Sequence, residues 1–506
     1  MKKIGYAIGA AALALATHQA HAFCGFYVSG SGDKMFNDAT NVVLMREGTR
    51  TVLSMQNDYK GPLNDFAMVV PVPVVLHEGD VKTLPREAFD HTDSLGSPRL
   101  VEYWEQDPCP APYAGNDKDD SIARPSRAYA PSAEAKSGMA REESVKIEAQ
   151  FTVGEYNILI LSATDSTGLE TWLNQNHYKI PAGAEPLLRP YVEANSKFFV
   201  AKVDPKKVKM VDGHAALSPL RFHYDSDEFA LPIRLGMANS SGKQDLIVNV
   251  ISADKRYEVA NYKNVFIPTN FDVKNDVKQH FGEFYAALFD KTTEANPGAV
   301  VTEYAWTAVP NYHCDPCTDA DISNPDLMTL GGDIVGGRIA AGNFVLTRLH
   351  ARYGKGDMKD DLRFRVAKAV TGGREQWSKN GLEYGATPSD QNYFQARFAI
   401  RHYWTGPIAC KTPQRNVWGG PPDGNYQQTI AANKVAFAPR GKIQLGAEIK
   451  RDLWEINFKK DRPASAQPPS GGGGGGGFAK PPTKSMYLFG ALALLGLGGL
   501  AFTRRR

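Results

Sequence analysis

The period of apolar and polar positions changes several times along the chain, and each change marks an element. NVVLMREGTRTVLSMQ, from Asn41 to Gln56, places two β-rich runs around Glu47 and Gly48, a hairpin signal. FAMVVPVPVVL follows; Pro71 and Pro73 lack amide donors, so this strand is expected to be broken or to lie at a sheet edge. SPRLVEYWEQ reads as a short helix. EYNILILSA has the pattern of a buried strand, and Asp165 or Ser166 is placed to cap the helix TGLETWLNQNHY, where Leu169, Trp172 and Leu173 share a face. KFFVAKVD, FALPIRLGMA and DLIVNVISA read as further strands. The strongest helical period is VKNDVKQHFGEFYAALF, with Val277, Phe281, Phe284, Tyr285 and Leu288 in one stripe. Later, NFVLTRLHARYG, DDLRFRVAKA and NYFQARFAIRHYW alternate as strands with one solvated face. The last sends Tyr393, Gln395, Arg397, Ala399 and Arg401 one way and Phe394, Phe398 and Ile400 the other. Together these predict a β-rich α+β fold of antiparallel sheets with a few packed helices.

The two ends carry different information. Residues 1–22 combine Lys2 and Lys3, an apolar run and the small-x-small sequence Ala20-His21-Ala22, the three parts of a secretory signal. Phe23 argues against lipid attachment at Cys24. At the other end, residues 462–485 form a Pro/Gly-rich tether, and 486–503 are an uncharged apolar run expected to form a transmembrane helix. Its length would be roughly 25 Å against a hydrocarbon core of about 30 Å. Arg504, Arg505 and Arg506 form a basic tail expected in the cytoplasm, which leaves the body outside it. Between the ends we expect a β-rich part over 23–110, a disordered insertion over 111–145 and the main α+β ectodomain over 146–461.

With 506 residues, 42% of them hydrophobic, the chain can bury a large core. A net charge of +3 and the export signal argue against nucleic acid as a partner. Motifs that carry chemistry are few. There is no Walker loop, no G-x-S-x-G elbow and no H-E-x-x-H. GGDIVGG (Gly331 to Gly337) lacks the phosphate-cradling pattern and reads as a turn. A calcium loop through Asp319 and Asp321 would lack its central glycine and terminal glutamate. No metal or cofactor is expected.

The chemistry that remains lies in Cys24, Cys109, Cys314, Cys317 and Cys410. Outside the cytoplasm disulfides are the default, and five leaves one unpaired or paired elsewhere. HCDPC, from His313 to Cys317, has the spacing of a redox dithiol or half a zinc site. The redox role needs a helix start to lower a thiol pKa, and TDADISNPDL is a poor helix cut by Pro325. Zinc needs a second ligand pair, which is absent. A structural role is left, with the pairing open. A Cys314–Cys317 bond would contribute only about 2 kcal/mol on the chain-entropy model, and a Cys24–Cys109 bond roughly 4.6 kcal/mol.

FCGFYV, FAMVVPVPVVLHEGD, LVEYWEQDPCP, EYNILILSATDSTGLETWLNQNHYKIP, FALPIRLGMAN and YAWTAVPNYHCDPC together resemble the bacterial domain-of-unknown-function family 2330. The resemblance implies an exported protein, often with a C-terminal sorting tail of the Gly-Gly type, and brings no activity or catalytic residues with it. Partners implied by the ends are the membrane, through the C-terminal helix, a sorting protease and an envelope component. The expected role is an anchored envelope ectodomain that binds or scaffolds; the alternative is an envelope thiol oxidoreductase or a hydrolytic enzyme. Deleting Met486 to Arg506 should move the protein from the membrane pellet to the soluble fraction, and retention in the pellet would refute the anchor.

Overall fold

A computed structural model describes residues 26–29, 36–60, 66–109, 145–178, 184–211, 214–239, 242–309, 316–317, 322–354, 356–378, 381–422, 424, 429–433, 435 and 438–459. The expected signal, tether, membrane span and basic tail lie outside them, as does the 111–145 insertion apart from Val145. No helix among the described residues is long and apolar enough to cross a membrane.

An eleven-stranded sheet forms the centre. From one edge it runs Thr387–Pro388, Val370–Gly372, Tyr393–Gln395, Val300–Ala308, Phe344–Tyr353, Gln244–Ser252, Phe36–Glu47, Arg50–Lys60, Leu220–Asp225 and Val81–Thr83, with Asn264–Phe266 also pairing to Val300–Ala308. The expected hairpin joins Phe36–Glu47 to Arg50–Lys60, with Glu47 opposite Arg50 and Gly48 at φ +56° in the two-residue turn. The sheet is mixed, which corrects the expectation of antiparallel sheets: Gln244–Ser252 lies parallel to Phe36–Glu47 with Val248 opposite Val42. Strand direction is set by a crossover of about two hundred residues, so nothing in the local period encodes it.

Strict alternation gives this sheet two apolar faces. Val42 and Leu44 point to one side, Val43 and Met45 to the other. On the first side lies an antiparallel five-stranded sheet, ordered Phe26–Ser29, Phe66–Val72, Lys197–Val203, Tyr156–Ala163 and Val145–Val153. Its Val70, Ile158, Ile160 and Phe199 pack against Leu44, Leu246 and Val248. Its back face, Val69, Leu161 and Val200, is covered by Leu169, Leu173 and Leu188 of the helices Ser166–Gln175 and Glu185–Glu193. Asp165 caps the first of these by accepting from Gly168 N at 2.5 Å.

The second face of the central sheet carries two helices. Glu87–Gly96 buries Phe89 and Leu95 against Val43, Met45 and Trp306. The expected helix is confined to Phe281–Ala295, which buries Phe281, Phe284, Tyr285 and Leu288 of the expected stripe, while Val277 is buried on the preceding 3-10 segment Asn275–Gln279; each phenylalanine or leucine contributes about 1.5–3 kcal/mol. The same helix also covers Leu100, Phe398 and Ile400 of a third sheet, built from Phe271–Asp272, Arg397–His402, Arg99–Glu105, Trp418–Gly419 and Thr429–Ala431.

Several local expectations are corrected. SPRLVEYWEQ is a strand, Arg99–Glu105, because it finds a parallel partner in Arg397–His402. In FALPIRLGMA only Ala230–Leu231 is extended. Pro232 ends it, and the Asp361 carboxylate accepts from Ile233 N and Arg234 N before a 3-10 segment, Arg234–Asn239. Pro71 sits inside the strand Phe66–Val72, which lies between Phe26–Ser29 and Lys197–Val203 and so is neither broken there nor at an edge; Pro71 pairs with Phe198, and the described pairing to Phe26–Ser29 stops at Val69. Pro325 starts the short helix Asn324–Leu327 instead of cutting one. GGDIVGG is largely helical, and a Cβ on Gly331 would come within 2.8 Å of Val52.

The supposed solvated face of NFVLTRLHARYG is buried, with Arg348 and His350 fully enclosed. Between the two helices, Arg348 donates to Glu303 Oε2 at 2.7 Å and to Asp93 Oδ1 at 2.6 Å. His350 contacts Glu303 Oε1 at 2.6 Å and Asp245 Oδ1 at 3.0 Å, while Tyr285 donates to Glu303 at 2.8 Å. Arg440 bridges Asp245 and Asp290, and Arg352 also holds Asp290. Burial alone would raise the Glu303 and Asp245 pKa values. His350 with Arg348, and His350 with Arg440, outweigh it and hold both at about 2. Burial opposes the His350 cation, yet Glu303 and Asp245 keep its pKa above the usual histidine range.

Breaking this network by Glu303→Gln should cost about 3–5 kcal/mol in urea unfolding. The unmutated protein should keep the carboxylate contribution above pH about 5 and lose it as pH falls toward about 2. The His350 contribution has the opposite sense, complete below about pH 6.5 and lost as pH rises through its raised pKa. A flat stability curve from pH 5 to 2 would contradict the assignment.

Candidate functional site

The candidate cysteines separate. Cys109 is bonded to Cys410, 301 residues away, with Cα atoms 5.5 Å apart; the Cys24–Cys109 alternative is thereby excluded. Cys317 is exposed and disulfide-bonded. Its partner, Cys24 or Cys314, lies outside the described residues, as do Asp319 and Asp321. No group of three or more metal-ligating side chains occurs among the described residues.

The Cys109–Cys410 bond borders a surface that the sequence pattern concealed. In the third sheet the parallel register sets Arg401 opposite Tyr103 and His402 opposite Trp104. Arg397 and Arg401 project from the face expected to be solvated, but both are buried. Arg397 donates to Glu375 at 2.7 Å and also to Asn270 and the Tyr103 hydroxyl. Arg401 donates to the same Glu375 oxygen at 2.9 Å and to Asp272 at 3.1 Å. Burial raises the Glu375 pKa, but Arg401 and Arg397 outweigh it and hold the carboxyl below its ordinary value.

Aromatic rings surround Arg401. Its guanidinium lies 4.8 Å from the Trp418 ring, 5.1 Å from Tyr103 and 5.6 Å from Trp377, and Tyr403 meets Trp418 edge-on at 5.2 Å. Trp377 and Tyr403 are 56% and 54% exposed, so this row of rings is accessible. Arg401 Nη1 and Trp418 Nε1 are buried and have no hydrogen-bond partner among the described residues. Around the corner, His402 stacks on Trp104 at 4.8 Å and donates toward Glu102, which also pairs with Lys278.

One carboxylate and one disulfide hold the loop that bears Tyr403. Glu105 accepts from Arg415, from Asn416 N at 2.7 Å and from Trp404 N at 3.0 Å. The Arg415 hydrogen bonds, helped by the two backbone amides, lower its pKa to about 2. Gln414 N donates to Pro108 O at 2.8 Å, beside the Cys109–Cys410 bond. Exposed Ile408 and Val417 lie on the same loop. The residues of this face were visible in the alternation of Arg397, Ala399 and Arg401, but their burial was not, since their partners come from 103, 272, 375 and 418.

Residues 18–365 match the family described as "Uncharacterized protein conserved in bacteria (DUF2330)". That is more than half of the chain, which therefore belongs to this family. Tyr103, Glu105 and Asp272 fall within the matched residues, whereas Glu375, Arg401 and Trp418 fall beyond them. No curated protein and no solved structure matches the chain. Replacing Cys109 and Cys410 by serine should destabilise the protein by about 6 kcal/mol on the chain-entropy model. Thermal melting checks this: the variant should melt lower than the oxidised protein, and reductant should lower the midpoint of the unmutated protein by more than that of the variant, which keeps only the Cys317 bond.

Proposed function

We propose that this member of the bacterial family DUF2330 is an exported, membrane-anchored ectodomain of the cell envelope, and that it binds an envelope partner through its Arg401 face. The observation that carries the reading is the pair of exposed rings Trp377 and Tyr403 set around the buried Arg401 and the half-buried Trp418, braced from behind by Glu375, Glu105 and the Cys109–Cys410 bond. Tryptophan, tyrosine and arginine are the side chains that dominate binding energy at interfaces, because they combine large area with few rotatable bonds. A braced loop loses little entropy when it binds. The secretory pattern at residues 1–22 and the tether and apolar run at 462–503 support export and anchoring. A disulfide between distant segments suits an oxidising compartment.

A thiol oxidoreductase is the competing reading, and the exposed, bonded Cys317 is the observation that favours it. Non-reducing peptide mapping separates the two: a Cys317 bond that survives a glutathione redox buffer supports a structural role, and rapid exchange supports the enzyme. For the binding face, Trp377→Ala with Tyr403→Ala alters two exposed side chains and should leave the melting temperature within a few degrees. With Met486 to Arg506 deleted from both proteins, so that the anchor does not contribute, co-sedimentation with isolated envelope fractions should drop by at least about tenfold, the scale of one or two hot-spot residues. Equal sedimentation of the variant and the unmutated protein would remove the Arg401 face from consideration.

A further inference from the structure

On another part of the surface, an open cleft of about 430 Å³ lies between the strand Arg256–Val259, its partner Leu362–Ala367 and the end of Val300–Ala308. That volume is within the range that holds a small organic molecule. Its charged lining consists of Asp254, Lys255, Arg256, Arg338 and Asp390. Asp254 and Lys255 neutralise each other at 3.0 Å, and both are more than half exposed. Ala308, Phe344 and Val366 contribute an apolar wall.

Arg256 is the unusual member. Its side chain is only 5% exposed, and its guanidinium lies 5.5 Å from the Phe266 ring. Nε donates to Lys368 O at 2.8 Å, and Nη2 reaches Glu258 Oε2 at 3.3 Å. Nη1 has no partner. Glu258 is also gripped by Arg365 through two bonds of 2.8 and 3.0 Å, so one carboxylate serves two guanidinium groups. Burial lowers the Arg256 pKa and Glu258 does not fully offset it, in keeping with an undercompensated charge. Arg338 is exposed and lines the cleft, and its side chain makes no hydrogen bond or ion pair among the described residues. The cleft is thus lined by an exposed guanidinium, Arg338, and by Arg256, whose buried Nη1 has no hydrogen-bond partner among the described residues, beside an apolar wall.

We propose that this cleft binds a small organic carboxylate, with the carboxylate against Arg256 and Arg338 and an apolar body against Phe344 and Val366. A guanidinium matches a carboxylate in planar, paired hydrogen bonds. A monoanion fits better than a phosphate dianion because Asp390 shares the lining and would repel the second charge. The site is independent of the Arg401 face: none of its lining residues belongs to that surface.

Isothermal titration of the full-length protein with benzoate, benzamide and inorganic phosphate at low ionic strength tests the assignment. Benzoate should give saturable binding that benzamide, its neutral analogue, and phosphate do not. Arg338→Ala alters only an exposed side chain and should weaken benzoate by at least about tenfold, the scale of a charged hydrogen-bonded contact. Arg256→Lys should weaken it as well, with thermal melting used to confirm that this variant is folded. Benzamide binding as well as benzoate, or benzoate affinity unchanged in Arg338→Ala, would overturn the proposal; so would preferential binding of phosphate, or no saturable heat from benzoate.

Discussion

Glu303 imposes the constraint on which the rest of the structure depends. A carboxylate with no exposure costs several kcal/mol to desolvate unless its partners are close and well aimed. Here they are Arg348, His350 and Tyr285, drawn from the neighbouring strand and from the covering helix. The β-bulge between Thr302 and Tyr304 admits Glu303 to the face that also bears Arg348 and His350. Apolar contact between a helix and a sheet tolerates sliding. The directional bonds from Asp93 on one helix and from Tyr285 on the other tolerate it far less.

The bulge does more than place a side chain. Glu303 O accepts from Ala396 N at 2.9 Å, and Ala396 O accepts from Arg99 N at 2.9 Å. Ala396 is therefore the corner at which NYFQARFAIRHYW leaves the central sheet, as Tyr393–Gln395, and enters the third, as Arg397–His402. Through this corner the residue that organises the core also sets where the Arg401 face begins. The opposite side of the central sheet is built differently. There Leu44, Val248, Ile160 and Phe199 meet as two apolar sheet faces, and directional bonds lie at the margin, where Tyr156 donates to Ser218 O and Glu155 accepts from Ser218 N.

Elements whose partners lie close in sequence, or whose period is strong, were legible from the chain: the hairpin at Gly48, the capped helix after Asp165 and the helix carrying Phe284. What was not legible depended on distant pairing. Arg99–Glu105 has no intrinsic reason to be extended until Arg397–His402 lies beside it. The same holds for the polar positions of alternating strands. A period of two tells which residues share a face, and it says nothing about whether solvent or a carboxylate from another element meets that face. Arg348, His350 and Arg397 were misplaced for this reason alone. The cysteines show the same limit, since a separation of 301 residues leaves no trace in local spacing.

The stoichiometry of charge distinguishes the buried arginines from one another. At the core, Arg348, His350, Arg352 and Arg440 face Asp93, Glu303, Asp245 and Asp290, a balanced set enclosed by two helices. At the third sheet, Arg397 and Arg401 face Glu375 and Asp272, again balanced, and aromatic rings take up the remaining surface of Arg401. At the cleft, Arg256 and Arg365 share Glu258. A buried cation is stable without a full counter-charge only where the surrounding structure supplies other compensation, and the Phe266 ring supplies just part of it. Balanced clusters are what structure requires. An unbalanced one beside open space is the arrangement in which an external anion gains more by binding than water can by solvating the same donor.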